Sequence, residues 1–356
     1  MENFTLSMVP QFKRTIMAIR YSKSKIIFCF TKNENIVFEL TDNLQKELIK
    51  LIDGKNSIGD IIKKLLCEKN KVFNELKKLN NLFLLEFNVK EIKENRFSRQ
   101  KLFWGIFEKN GEQFSKHIEE KLKKSKVAIF GLGGFGSHLV YEMAYLGVGT
   151  LKIVDYDNVN ITNLNRQILY SEKDLNQAKT DIAKKVINKI NRDIKVESIN
   201  KKLSSVDDIA KILKDSDMGI IAADEPRDKI FKWFNRASYL TNVPVMFSLG
   251  VNSHSAIIGP LVVPGETACF ECSLPDMNMN LNDELVKHIN ENYQHGVIKP
   301  YISVATGIIA LEVIKEITSF SEPVLYNSRL YFDFSNYTSN ITKFTRKKHC
   351  EFCSGV

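Results

Sequence analysis

The stretch from Lys126 to Asp157, KVAIFGLGGFGSHLVYEMAYLGVGTLKIVDYD, constrains the fold more than any other part of this chain. It opens with Val127-Ala128-Ile129-Phe130, an apolar run between lysine and glycine that reads as a strand buried on both faces, as in a parallel sheet. Gly131, Gly133, Gly134 and Gly136 follow in G-x-G-G-x-G spacing, and Ser137 to Leu146 then carries apolar residues at helical intervals. Leu151 to Val154 supplies a second strand ending in Asp155. Strand, glycine turn, helix and strand make a βαβ unit. The glycines allow a tight turn and close approach of backbone to phosphate, and the helix N-terminus offers unpaired N–H groups. An acid at the tip of the second strand can bind ribose hydroxyls. The pattern points to an adenine nucleotide and does not choose between a dinucleotide and ATP.

A chain of 356 residues exceeds one average domain, so two domains are expected. Hydrophobic content of 44% and charged content of 26% are those of an ordinary soluble protein. Met1 to Arg14 lacks a signal-peptide core and no run approaches about 18 apolar residues, so a cytoplasmic protein without a membrane partner is expected. The net charge of +9 reads mainly as the lysine usage of an AT-rich genome, with attraction to an anion such as a nucleotide as the functional alternative. No arginine-rich or aromatic-interleaved tract is present, so nucleic acid is not an expected partner.

Four of the six cysteines form two C-x-x-C pairs, Cys269/Cys272 and Cys350/Cys353. Thiolates at this spacing converge on tetrahedral zinc, and two pairs leave no open coordination position. The expected role is structural, tying the C-terminus to the segment after Gly265; a redox dithiol is the competing reading.

Residues 1–90 read as a separate small domain. Ala18 to Phe30 and Glu34 to Leu40 are β-prone runs around the polar turn Thr31-Lys32-Asn33. Thr41 stands where a helix cap belongs, with Leu44, Leu48, Leu51 and Ile52 at helical spacing until Asp53-Gly54. Ser57 caps a second helix (Ile58, Ile61, Ile62, Leu65). A third apolar face, Val72, Leu76 and Leu79, leads to Leu82-Phe83-Leu84-Leu85, which can return as a strand. This order is that of a winged helix. The phrase from Leu48 to Ile62, LIKLIDGKNSIGDII, resembles the PqqD-like peptide-recognition domain, which implies that a peptide is held as an added strand. A buttressing domain and a DNA-binding wing are the alternatives, the second disfavoured by the lack of a basic recognition helix. Residues 91–125 read as a linker and helix, preceded by polar sequence from Glu86 and containing Asn95-Arg96-Phe97-Ser98-Arg99-Gln100; residues 126–356 form the second domain.

Beyond Asp157 come Asn160-Ile161-Thr162-Asn163-Leu164-Asn165-Arg166-Gln167 and then Lys179-Thr180, which opens an amphipathic helix. Asp217 to Ala223 reads as a buried strand delivering Asp224 at its end. Ligands gather at the carboxyl ends of strands in open α/β sheets, so Asp155, Asp157 and Asp224 are expected to converge on the glycine turn. A dehydrogenase needs no cationic clamp on a terminal phosphate. Nucleotidyl transfer needs cations on the polyphosphate and a carboxylate for magnesium, which Arg166, Lys179 and the acids offer.

GLGGFG, DYDNVNITNLNRQ, Lys179 and the Ala-Ala-Asp of 222–224 resemble the ThiF/MoeB/ubiquitin-activating family of adenylyltransferases. GPLVVPGETACFEC from Gly259 to Cys272, the closing Cys350-Glu351-Phe352-Cys353 and the Arg-Phe-Ser-Arg-Gln phrase are similar to its MccB-like subgroup, which adenylates the peptide precursor of microcin C. The resemblance implies a Rossmann-like, mixed-sheet ATP-binding α/β domain beside the small α+β winged-helix-like domain. It implies that Gly131, Gly133, Gly134 and Gly136 face phosphates, that Asp155 holds ribose, and that Asp157 lies near the adenosine and metal. Asn163, Arg166, Gln167 and Lys179 would grip the triphosphate, and Asp224 would coordinate Mg²⁺. Arg99 would reach into the partner subunit's site, making the enzyme a homodimer.

Family members that pass the acyl group to a thiol carry a nucleophilic cysteine after the core, whereas no cysteine lies between Cys67 and Cys269 here. A thioester step is therefore not expected. The expected activity is ATP- and Mg²⁺-dependent adenylation of the C-terminus of a short ribosomal peptide, with another nucleoside triphosphate possible in place of ATP and a microcin C-like peptidyl nucleotide as product. An activator of a ubiquitin-fold sulfur carrier is the second reading, and a nucleotide-free peptide-delivery protein the third. Pro275 to Pro300, with Met277, Met279, His288 and His295, reads as a crossover loop near the substrate. Pro300 to Ile317 reads as a helix with Ala305 and Gly307 for close packing, and Tyr326 to Phe334 as a late strand.

Overall fold

The structure is a computed structural model that describes all residues except 1–3, 33, 90–93, 110, 228, 275–282, 292–295, 351 and 354–356. The chain divides into two compact units, Met1–Glu120 and Lys121–Val356.

In the first unit, β1 (Pro10–Phe12), β2 (Met17–Arg20), β3 (Lys25–Thr31) and β4 (Glu34–Glu39) precede three helices, α1 (Asn43–Leu51), α2 (Ile58–Leu65) and α3 (Lys69–Asn81). Then come β5 (Leu85–Phe87), α4 (Ser98–Gly105) and α5 (Gly111–Lys124), whose last turn crosses the division. The expected single run Ala18–Phe30 is two strands: the chain turns at Tyr21–Ser24, where the Tyr21 N–H donates to Lys25 O at 3.0 Å, so that β2 and β4 flank β3 antiparallel. The cap of α1 is Asp42 rather than Thr41, its Oδ1 accepting from Gln45 N at 2.8 Å; a carboxylate is the better acceptor at a helix N-terminus. Ser57 does cap α2, in a reciprocal box with Asp60. The returning strand starts at Leu85 and pairs with β1, not with the hairpin, and it takes in the start of the polar sequence from Glu86. Phe28, Leu48, Ile58, Ile61, Leu76 and Leu79 form the core that these elements share.

The second unit begins with β6 (Lys126–Phe130), α6 (Gly134–Leu146) and β7 (Thr150–Asp155), followed by α7 (Lys179–Ile190), β8 (Lys195–Asn200), α8 (Val206–Leu213) and β9 (Met218–Ile221). After α9 (Ile230–Thr241) come β10 (Val245–Asn252), β11 (Ser255–Val262), α10 (Glu284–Asn290), α11 (Lys299–Thr318), β12 (Ser328–Asp333) and β13 (Thr338–Lys343). One eight-stranded sheet orders them β13-β12-β11-β10-β9-β6-β7-β8, parallel from β10 to β8 and antiparallel from β10 to β13. The expected mixed sheet is thus a Rossmann-type parallel half extended by an antiparallel meander. Ala128 and Phe130 face α8 and α9, packing with Ile209, Ile230 and Phe234, while Val127 and Ile129 alternate to the opposite face. That double burial is why β6 reads as an unbroken apolar run. Helix α11 lies along α6, and a Cβ at Gly134 would stand 2.7 Å from Ile302 Cδ1.

Chain order runs β6-β7-β8 to one side and β9-β10 to the other, so the sheet's switch point falls between β6 and β9. Crevices for ligands open there, beyond the strands' carboxyl ends. Part of the expected 275–300 loop is helical, namely α10; 275–282 (with Met277 and Met279) and 292–295 (with His295) lie outside the described residues. His288 on α10 is exposed and stands 3.6 Å from Glu291.

Candidate active site

At the switch point the chain leaves β6 through Gly131, whose φ of +87° belongs to the left-handed region. A Cβ there would lie 2.7 Å from Ala223 N, in the loop that leaves β9. A Cβ at Gly136 would lie 1.7 Å from Gly131 O, so α6 is pressed onto the turn. Gly133 differs: its nearest neighbour would be Gln167 Nε2 at 3.9 Å, which leaves the backbone open to a ligand. Helix α6 starts at Gly134, three residues before the expected Ser137, because glycines carry no helix signal yet build its first turn.

Asp155 closes β7 and is 9% exposed. Its Oδ2 accepts from Leu132 N at 2.6 Å and its Oδ1 from Asp157 N at 2.8 Å, tying the glycine turn to the end of β7. Burial pushes the Asp155 carboxyl up, against the opposing pull of Lys179. The Tyr170 hydroxyl donates to Leu132 O at 3.1 Å and fixes the turn from the other side. Lys179, first residue of α7 and 4% exposed, places Nζ 2.8 Å from the half-exposed Asp157 carboxylate, and its own N–H donates to Asp157 O at 3.0 Å. A buried lysine at a helix N-terminus opposes the helix dipole, so its partner carboxylate, or a phosphate in its place, is what holds it there.

These groups open onto one cleft, lined by Gly131, Gly133, Asp155, Asp157, Lys179 and Asp224 among others. Asp224 is exposed in the loop after β9. Asn163, Arg166 and Gln167 lie beside the cleft rather than in its wall. Asn163 Oδ1 caps a 3₁₀ turn by accepting from Asn160 N at 2.9 Å, and the half-buried Arg166 donates from one NH to Thr162 O at 2.8 Å. His138 Nε2 meets Arg166 O at 3.2 Å and the Ile168 N–H donates to Ser137 Oγ at 3.3 Å, binding this segment to α6. Gln167 is 4% exposed, and its Oε1 has no partner among the described residues. Arg99 sits on α4 in the first unit. The expected carboxylate convergence is thus present at Asp155, Asp157 and Asp224.

Sequence reading missed Lys201 and Lys202, which follow β8 and line the same cleft. Lys202 Nζ stands 5.3 Å from the Tyr156 ring centre, and Lys201 pairs with Asp208 at 2.5 Å. The available signal was a lysine pair at the end of the strand next to β7, on the ligand side of the sheet.

Cys269, Cys272, Cys350 and Cys353 are all buried, with sulfurs within 4.8 Å of one another and three separations of 3.7, 3.7 and 3.4 Å. A tetrahedral site with metal–sulfur bonds of about 2.3 Å has sulfur–sulfur edges of about 3.8 Å, so the donor set fits zinc. Burial pushes the Cys269 thiol up and the Cys353 thiol up to about 11. The segment leading into Cys350 is anchored as well: Arg346 Nε donates to Thr267 O at 3.2 Å and Lys347 Nζ to Leu274 O at 2.9 Å.

A parallel sheet with a glycine turn at its switch point, acids at the surrounding strand ends and a buried lysine defines a nucleotide-binding α/β domain. Residues 97–354 match the ThiF family, and the chain belongs to that family. Over 97% of this chain and 99% of the other it is similar to Escherichia coli MccB, with 27% identity and a TM-score of 0.83. It is 27% identical over 241 residues to the sulfur carrier protein ThiS adenylyltransferase of Escherichia coli K12, covering 67% of this chain and 89% of the relative. It is also 27% identical over 262 residues to that organism's molybdopterin-synthase adenylyltransferase, covering 72% and 95%. MccB has been solved with ATP and, as a microcin C7 biosynthetic enzyme, in complex with N-formylated MccA. The protein is an adenylyltransferase. Among its described residues no helix is long and apolar enough to cross a membrane.

Proposed function

We propose that this adenylyltransferase activates the C-terminal carboxyl, or a carboxamide-derived group, of a short ribosomal peptide with ATP, as a step toward a microcin C-like peptidyl nucleotide used as an antibiotic. The observation that carries this reading is the extent of the likeness to MccB. It takes in 97% of the chain, whereas the ThiF family match begins at residue 97. The winged-helix-like first unit therefore belongs to the likeness, and residues 1–90 act as the peptide-binding domain, 91–125 as linker and helix, and 126–356 as the adenylation domain.

A peptide carboxylate oxygen attacks the α-phosphorus in line; the P–O bond to the β-phosphate breaks and pyrophosphate leaves, giving a peptidyl adenylate. Lys179 in the cleft wall and Arg166 beside it offset the charge that builds on the phosphates, as preformed cations do at little reorganisation cost. Arg99 of the partner subunit completes the cluster in a homodimer. Gly131 and Gly133 present backbone to the phosphates, and Asp155 and Asp157 hold the sugar side. The exposed Asp224, with Glu225 beside it in the cleft wall, suits Mg²⁺, which uses one or two carboxylates with substrate phosphates and neutralises polyphosphate charge when bound. The four cysteines hold a structural Zn²⁺. The setting is the cytoplasm, where ATP is supplied.

Peptide-dependent pyrophosphate release tests the reading: Asp224→Ala is expected to abolish it, and full retention sinks the proposal. The sulfur-carrier reading is supported by the two sulfur-carrier and molybdopterin-synthase relatives. Incubation with ATP and either an asparagine-ended short peptide or a Gly-Gly-ended ubiquitin-fold carrier separates the two by which substrate drives the release.

A further inference from the structure

The cysteine cluster carries more polar chemistry than its four sulfurs. Helix α9 lays Asn235 and Tyr239, one turn apart, beside it. Asn235 is fully buried, and its Oδ1 accepts from Phe270 N at 3.0 Å, which fixes the orientation of the amide. Its Nδ2 is buried without a hydrogen-bond partner among the described residues, and the bond to Phe270 N places the amide beside Cys269, the preceding residue. Tyr239 Oη is also buried and without a partner among the described residues, and Cys269 and Cys353 lie within electrostatic reach of it. Its ring meets Phe352, next to Cys353, edge-on at 5.0 Å.

The sulfurs show the complementary deficit. Cys269 is supported by the Cys272 N–H, Cys272 accepts from Lys347 N at 3.4 Å, and Cys350 is supported by the N–H groups of Phe352 and Cys353. Cys353 meets only other sulfurs among the described residues. A neutral thiol is a weak acceptor, whereas four thiolates around a divalent cation carry two net negative charges and accept strongly. Buried donors without acceptors are rare and call for an explanation.

We propose that Tyr239 and Asn235 form the outer shell of a tetrathiolate metal site, the Tyr239 hydroxyl donating to Cys353 Sγ and the Asn235 amide to Cys269 Sγ when a divalent cation holds the sulfurs as thiolates. Both are positioning residues, and the inference rests on the zinc reading of the four cysteines. Metal loading then fixes α9 as well as the C-terminal tail.

The test uses the full chain and Tyr239→Phe, which removes one hydroxyl and keeps the ring. Zinc affinity is read by competition with a chromogenic chelator, the cobalt(II)-substituted protein by its thiolate-to-metal charge-transfer band, and Tm with metal bound and after chelation. The variant is expected to bind zinc about 10-fold more weakly, to shift the cobalt band, and to lose Tm in the loaded form only. Asn235→Asp keeps an acceptor for Phe270 N but turns a carboxylate to the sulfur, and is expected to lose more affinity than Tyr239→Phe. Unchanged zinc affinity and cobalt band in Tyr239→Phe, or an equal Tm loss in loaded and chelated protein, overturns the outer-shell role while leaving the metal site standing. Failure of the unaltered protein to take up zinc or cobalt overturns the metal site and this inference together.

Discussion

Gly136→Ala tests whether the pressing of α6 onto the glycine turn matters to the chemistry. The new Cβ would lie 1.7 Å from Gly131 O and 2.7 Å from Gly131 C, where contacts under 3.0 Å essentially never occur, so turn and helix must part by at least about 1.3 Å. Neither side has a flexible side chain to yield: the obstacle is backbone at a left-handed glycine that itself abuts the Ala222–Ala223 backbone. Overpacking of this kind costs about 1–3 kcal/mol, a Tm loss of several degrees in a unit of this size. Displacing the phosphate-facing backbone by about 1 Å lowers turnover by about 10²-fold. Gly133→Ala is the control, since its Cβ meets nothing nearer than 3.9 Å. It should change stability by no more than about 0.5 kcal/mol and weaken ATP binding by occupying ligand space. Calorimetric ATP titration, ATP–pyrophosphate exchange and thermal unfolding on both variants decide the matter. Equal Tm losses in the two, or wild-type exchange in Gly136→Ala, would refute the reasoning.

Lys179→Ala is expected to cut pyrophosphate exchange by at least about 10²-fold while costing under about 1 kcal/mol of stability, because the Asp157 carboxylate it leaves behind is half-exposed; steady-state exchange and thermal unfolding report the two separately. Lys202→Ala should raise KM for ATP severalfold with unchanged Tm, since it removes only the cation over Tyr156 at the cleft wall. Burial raises the Asp155 carboxyl, so the folded state disfavours its ionised form. The associated stability is present below the ordinary carboxylate range, about pH 4, and is lost as pH rises through the raised value. The Tm of Asp155→Asn relative to wild type should therefore climb from pH 4 toward neutrality, and a flat difference would contradict the burial argument. Mixing inactive Arg99→Ala and Asp224→Ala proteins should restore partial activity through hybrid dimers, and none is expected if Arg99 acts within its own chain.

The parts of the fold that were legible in the sequence are those where one local signal suffices. Double burial made β6 and β9 visible as apolar runs, Ser57 announced α2, and C-x-x-C spacing brought together four sulfurs some eighty residues apart in the chain. The missed features depend on long-range pairing or on side-chain competition. The β1–β5 ladder joins residues separated by more than seventy positions, and Pro10–Phe12 carries no strand signal of its own. Asp42 took the cap from Thr41 because two acceptors stood side by side. Lys201 and Lys202 look like solvated charge until β8 is placed next to β7, which carries them to the cleft. Asn163 and Arg166 were recognisable by motif, but their positions beside the cleft follow from the turn that Asn160 and Asn163 cap, which spacing does not encode.

The meander that extends the sheet ends at β13, which among the described residues pairs on one side only and is exposed along its whole length. A free strand edge is a template for the next chain, and its sequence here, Thr-Ser-Asn-Ile-Thr-Lys, carries one large aliphatic residue and ends in lysine. Polar side chains on that rim disfavour edge-to-edge pairing. Asn340→Val with Lys343→Val would convert it into a flat, uncharged β-segment of the kind that recruits copies of itself, so handling of this protein at high concentration depends on six residues far from the nucleotide cleft.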